Sequence, residues 1–180
     1  MTNTDSQYDK VISECKEIFD LKTKDYGTAW RILRPASLTD QIFIKASRIR
    51  SIQEKQKQKV AEGIKSEFIG IINYSIMTMI QLEHPAEGKY EMDTDLASSL
   101  YEQYSRETRQ LMQEKNHDYG EAWREMRISS MTDLILMKLL RIKQIEENDG
   151  NTLVSEGLKA NFQDIMNYSV FSMILLSEKG

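Results

Sequence analysis

The chain carries nearly the same sequence twice. Tyr8 to Glu83 can be laid over Tyr101 to Ser177 with one inserted residue near Val60 and Val154, and 31 of about 76 paired positions are then identical. Agreement on that scale marks an internal duplication. It constrains the fold strongly, because whatever structure one half adopts must also suit the other. Matching is densest where Asp25-Tyr26-Gly27-x-Ala29-Trp30-Arg31 faces Asp118-Tyr119-Gly120-x-Ala122-Trp123-Arg124, and where Glu62-Gly63-x-Lys65…Asn73-Tyr74 faces Glu156-Gly157-x-Lys159…Asn167-Tyr168.

Polar and apolar residues recur at three- and four-residue spacing, prolines number two and glycines eight, and strand signals are absent, so the chain reads as helix throughout. The pattern predicts helices at about 6–24, 37–57 and 60–83, repeated at about 94–116, 130–147 and 153–178. Ser37-x-x-Asp40 and Ser130-x-x-Asp133 resemble capping boxes at the second helix of each half, with aspartate in place of glutamate. Gly27 and Gly120 are expected to end the first helices in a left-handed conformation. In the third helices a step of about 100° per residue gathers Ile64, Phe68, Ile71, Ile72 and Met79 into one arc, and Leu158, Phe162, Ile165, Met166 and Met173 into another. Both helices then become apolar nearly all round, which predicts that they pack together at the centre. The expected architecture is all-α: a six-helix bundle built from two tandem three-helix repeats with pseudo-two-fold symmetry. Residues 1–83 form the first repeat, 84–93 the linker and 94–180 the second repeat, together one compact domain.

Several function classes are disfavoured by composition. Net charge is −4 and the pI is near 5.4, against a general nucleic-acid binder, which needs a concentrated basic face. Lys55-Gln-Lys57-Gln-Lys59 is the one basic run of note, read as a solvated helix end or a local phosphate contact. The stretch from Phe68 to Leu82 is too short and too interrupted to span a bilayer. A single cysteine, Cys15, excludes an intramolecular disulfide; with no charged segment leading into an apolar one at the start, the expected location is the cytoplasm.

Two repeat-matched clusters can carry chemistry. Tyr26, Trp30, Tyr119 and Trp123 could stack on a nucleobase, or plug the ends of the bundle. Lys45 with Arg48, and Lys138 with Arg141, are three residues apart and share a helix face, so each pair could grip phosphate; alternatively they pair with Glu62 and Glu156 across the bundle. Asp40 and Asp133 sit beside them, as caps or as functional groups. Asn73 and Asn167 are expected to satisfy buried polar groups between helices. No Gly-rich phosphate loop, serine elbow or paired-cysteine motif accompanies them.

The order of a Lys-x-x-Asp-Tyr-Gly turn, an Asp-x-x-x-x-Lys-x-x-Arg helix and a Glu…Asp-x-x-Asn-Tyr helix resembles the nucleotide-modification-associated domain 1 family, here in tandem. That family is similar in turn to the all-α, MazG-type nucleoside triphosphate pyrophosphohydrolases, helical bundles that hold magnesium with clustered carboxylates. The resemblance implies association with a nucleotide or modified nucleotide and, if the protein is an enzyme, Mg²⁺-dependent pyrophosphohydrolysis. It would make Glu156 and Asp164 catalytic, with Asp164, Asn167 and Glu156 holding the metal. The family's last helix reads Glu-x-x-x-Asp-x-x-x-Asp-x-x-Asn-Tyr, and this chain departs from it. Ala160 stands for one acid in the second half, and Ser66 and Gly70 stand for two in the first. Glu156 and Asp164, eight residues apart, are separated by about 12 Å along a helix, too far to share one ion.

Two functional expectations result. One is a nucleotide-binding protein of pyrophosphohydrolase ancestry with any surviving activity in the second half. The other is a non-catalytic helical interaction or scaffold module whose duplicated surface would suit a homodimer.

Overall fold

The computed structural model describes residues 3–55, 60–150 and 157–179. Six α-helices, α1 (Asn3–Tyr26), α2 (Pro35–Glu54), α3 (Val60–Glu83), α4 (Thr94–Tyr119), α5 (Ile128–Glu147) and α6 (Leu158–Lys179), account for most of it, and no strand occurs among the described residues. The all-α expectation holds. Between the first and second helix of each half lies a short 3₁₀ helix that periodicity does not reveal, at Ala29–Ile32 and Ala122–Glu125. The expected start of the last helix at 153 lies outside the described residues, as do Lys57 and Lys59 of the basic run.

The capping boxes are not formed. α2 starts at Pro35, whose fixed φ suits a first helical position, so Ser37 is already within its first turn; α5 likewise starts at Ile128, ahead of Ser130. Asp40 and Asp133 instead bridge the repeats, Asp40 to Lys143 and Asp133 to Arg50, each at 3.7 Å. The left-handed glycines are as expected, with φ of 60° at Gly27 and 65° at Gly120.

α3 packs along α6 and α2 along α5, each helix also touching the third helix or second helix of its own repeat. Ile71, Ile72, Ile76, Met79 and Ile80 of α3 are fully buried, as are Ile165, Met166 and Val170 of α6. Polar contacts inside this apolar centre are reciprocal. Tyr101 donates its hydroxyl to Asn73 Oδ1 at 2.7 Å, and Tyr8 donates to Asn167 Oδ1 at the same distance. Asn73 Nδ2 donates to the Cys15 carbonyl, and Asn167 Nδ2 to the carbonyl of its repeat-mate Thr108. Each asparagine thus satisfies a carbonyl of its own repeat and a tyrosine of the other, the pattern expected when equivalent surfaces meet.

Cys15 is fully buried in this centre, and burial, aided by the nearby Glu14 charge and opposed by Lys65, pushes its thiol up to about 12. Thiolate is the reactive form. Native protein at pH 8 is therefore expected to resist iodoacetamide while the guanidinium-unfolded chain is alkylated, a difference that intact-mass measurement would read directly. Rapid modification of the native protein would contradict the burial.

Candidate functional site

Ser66, Gly70 and Tyr74 recur every four residues and so share one face of α3. Lys22 and Tyr26 do the same at the end of α1. Gly27 then ends α1 through its positive φ, with its N–H on the Thr23 carbonyl at 2.8 Å. The short helix that follows carries Trp30, whose ring sits 6.3 Å from Phe19. α2 brings Lys45. Between them these elements enclose a pocket of about 550 Å³, lined among others by Lys22, Tyr26, Trp30, Lys45, Gly70 and Tyr74. None of its lining residues is acidic. The indole N–H of Trp30 is buried without a hydrogen-bond partner among the described residues.

Gly70 is why there is room for Lys45. A Cβ at Gly70 would lie 2.8 Å from Lys45 Cε, so the lysine arm rests on the bare helix backbone. Its Nζ is 3.5 Å from Glu67, which also takes Arg48 at 3.1 Å, and 5.7 Å from the Tyr74 ring centre. Glu67 stands on a different face from the acids of the family pattern, and here it serves as the counter-charge of the Lys45 and Arg48 pair.

The second repeat solves the same position differently. Asp164 replaces Gly70, is 5 % exposed, and accepts from Lys115 at 2.7 Å and from Lys138 at 2.8 Å, one lysine on each oxygen. These lysines are the repeat-mates of Lys22 and Lys45.

Of the expected metal set, Asp164 and Asn167 lie among the described residues, and both have protein partners. Asn167 Oδ1 is taken by Tyr8 and both Asp164 oxygens are taken by lysines; Glu156 lies outside the described residues, as does the side chain of Glu62. Among the described residues no three His, Cys, Asp or Glu side chains are grouped to hold a metal ion.

The remaining candidates divide. Trp123 is buried, stacked on Phe171 with centroids 4.1 Å apart and with the Arg124 guanidinium 4.4 Å from its ring. That is the bundle-end plug, and it leaves no open face for a base. Tyr119 is 78 % exposed. Tyr26, 72 % exposed, and half-buried Trp30 both line the pocket. Arg141 is exposed, near enough to Tyr168 to act on its hydroxyl, whose pKa is raised chiefly by burial and next by Asp164, with Lys115 and Arg141 opposing. The matched lysines Lys65 and Lys159 are structural: Lys65 pairs with Glu14 at 2.6 Å and Lys159 with Glu107 at 2.9 Å.

Lys22, Lys115, Tyr74 and Glu67 were not among the expected site residues. Lys22 and Lys115 open the shared Lys-x-x-Asp-Tyr-Gly motif, so their identity in both halves was the available signal. Glu67 has no such signal, because its repeat-mate is Asn161.

The sequence profile described as nucleotide modification associated domain 1 matches the chain twice, at residues 22–82 and 115–176. Each match contains one repeat's lysine turn, cationic helix and Asn-Tyr helix. Comparison with curated proteins and with solved structures returns no match. No described helix is long and apolar enough to cross a membrane.

Proposed function

The chain belongs to the nucleotide modification associated domain 1 family through both repeats, and from that premise we propose that it binds a nucleotide in the pocket of the first repeat. The observation that carries this reading is the pocket's composition: two lysines and four aromatic side chains around about 550 Å³, with no carboxylate on the lining. That volume lies within the range of small-molecule sites. Lys22 and Lys45 supply charge-assisted donors for a phosphate, and Tyr26, Trp30 and Tyr74 supply flat apolar surface for a base.

Ser66 and Gly70, which stand where the resembled family has acids, both line this pocket. A site that has exchanged carboxylates for small residues while keeping its lysines suits binding without hydrolysis. Magnesium-dependent pyrophosphohydrolysis would require free carboxylates, and Asp164 is engaged by two lysines. The scaffold reading draws on the same engagement, since it treats every charged group as structural.

Mixing calorimetry with canonical and modified deoxynucleotides, run with Mg²⁺ and again in EDTA, separates these. Expected is saturable binding that persists in EDTA and weakens at least about ten-fold in Lys45→Ala, the scale of one charged hydrogen bond. Silence across the panel would leave the scaffold reading. Binding that needs Mg²⁺ and disappears in Asp164→Ala would return the site to the second repeat.

A further inference from the structure

Resting on that reading of the pocket, we propose that the ligand of the first repeat is a nucleoside monophosphate whose phosphate sits between Lys22 and Lys45 beside Gly70, in the place that the Asp164 carboxylate holds in the second repeat. The two repeats act as each other's control. In the second, a buried anionic group stands between the equivalent lysines, one ammonium on each oxygen at 2.7 and 2.8 Å. In the first, the chain supplies no side chain there, and the lysines line an open pocket instead. Asp164 is thus an internal copy of the missing ligand group.

The chemistry of the copy restricts the ligand. A single phosphoryl group carries about −1.5 to −2 charge at neutral pH, which two ammonium groups balance. Glu67 is shared between Lys45 and Arg48, so this trio keeps one net positive charge, to which Lys22 adds a second. A triphosphate brings charge beyond what these two ammonium groups balance, and the pocket lining has no acid to help hold a metal that would offset it. The aromatic side of the pocket then faces the nucleoside.

Gly70→Asp turns the first repeat into the second. The new Cβ would press on Lys45 Cδ and Cε, which are parts of a flexible arm, and the equivalent arm of Lys138 already accommodates an aspartate. Gly70→Asn adds the same bulk without the charge.

The experiment is calorimetry in EDTA with the four canonical deoxynucleosides, their 5′-monophosphates and their triphosphates, on wild type and both variants, with a thermal melt of each. In wild type one monophosphate is expected to bind at least about ten-fold more tightly than its nucleoside, with no gain for the triphosphate. In Gly70→Asp that advantage should vanish while the melt stays at or above wild type; Gly70→Asn should retain part of it. Should Gly70→Asp fail to fold, Lys22→Met with Lys45→Met must abolish the same advantage and spare nucleoside binding. Undiminished monophosphate binding by Gly70→Asp, equal losses in both Gly70 variants, or a triphosphate preference in EDTA would each overturn this placement and leave the pocket reading intact. No binding of any probe by wild type would instead remove the pocket reading itself.

Discussion

Replacing Asp164 with alanine is expected to lower stability by about 3 kcal/mol, the lower part of the range for removing one partner of a buried ion pair. The loss comes mainly from what is left behind. Lys138 has a side chain only 13 % exposed and lies 2.8 Å from the carboxylate, whereas Lys115 is 46 % exposed and can turn to water. Lys138 would be stranded. The first repeat shows how a chain avoids this without an aspartate at that position: Glu67, one turn earlier, receives Lys45. The repeat-mate of Glu67 is the neutral Asn161. Asp164→Ala with Asn161→Glu should therefore regain a large part of the lost stability, although neither change alone adds an apolar contact. Denaturant melts of the two variants test this. A single variant within about 0.5 kcal/mol of wild type, the range of ordinary surface substitutions, would mean that Lys138 reaches solvent by itself.

This exchange explains why the fold was easier to read from sequence than the site. Helix identity depends on periodicity, and the apolar arcs through Phe68, Ile71 and Ile72, and through Phe162, Ile165 and Met166, are buried as the spacing requires. The left-handed turns at Gly27 and Gly120 are equally local. At α2, Pro35 competes with Ser37 as a start signal, and the proline is the stronger constraint. The site depends on pairings between elements, which similarity between the repeats could suggest but not assign. Asp164 and Lys138 were both legible as candidates, yet nothing in one dimension says that they neutralise each other. In sequence, Ser66 and Gly70 stand out only as departures from the acids of the resembled family's last helix. In three dimensions those two small residues line the pocket. Trp30 and Trp123 carry the same lesson, being identical in sequence but placed differently: one lines a cavity, and the other is covered by Phe171 and Arg124.

Raising the pH above about 9 is expected to destabilise the protein far more steeply than its ordinary surface charges would. Tyr8, Tyr101 and Cys15 each hold an acidic proton at the protein's centre. Burial raises the pKa of Tyr8 despite the opposing Arg109 charge, burial raises that of Tyr101, and burial raises that of Cys15 to about 12. Both tyrosine protons are in use, donated to Asn167 and Asn73. In the unfolded chain the thiol and phenols return to ordinary values, 9.0 for cysteine and 10.0 for tyrosine. Above those values the unfolded state has lost protons that the native state keeps, so stability falls as pH rises, by up to about 1.4 kcal/mol per pH unit for each group. The fall begins near pH 9 with Cys15, steepens above pH 10 as both tyrosines join, and ends only where the native groups ionise. Below about pH 8 all three are almost wholly protonated in both states and contribute little slope. Cys15→Ser is the wrong control, because it buries a hydroxyl; Cys15→Ala and Tyr8→Phe each remove one titrating proton. Tyr8→Phe should lower stability at pH 7 by about 1–3 kcal/mol, since Asn167 Oδ1 is left without its donor. The same variant should lose less stability than wild type between pH 9 and 11, so its curve converges on that of wild type. Denaturant unfolding at half-unit pH steps measures both slopes. Parallel curves for wild type and Tyr8→Phe across that interval would show that the buried phenol is not held by the fold.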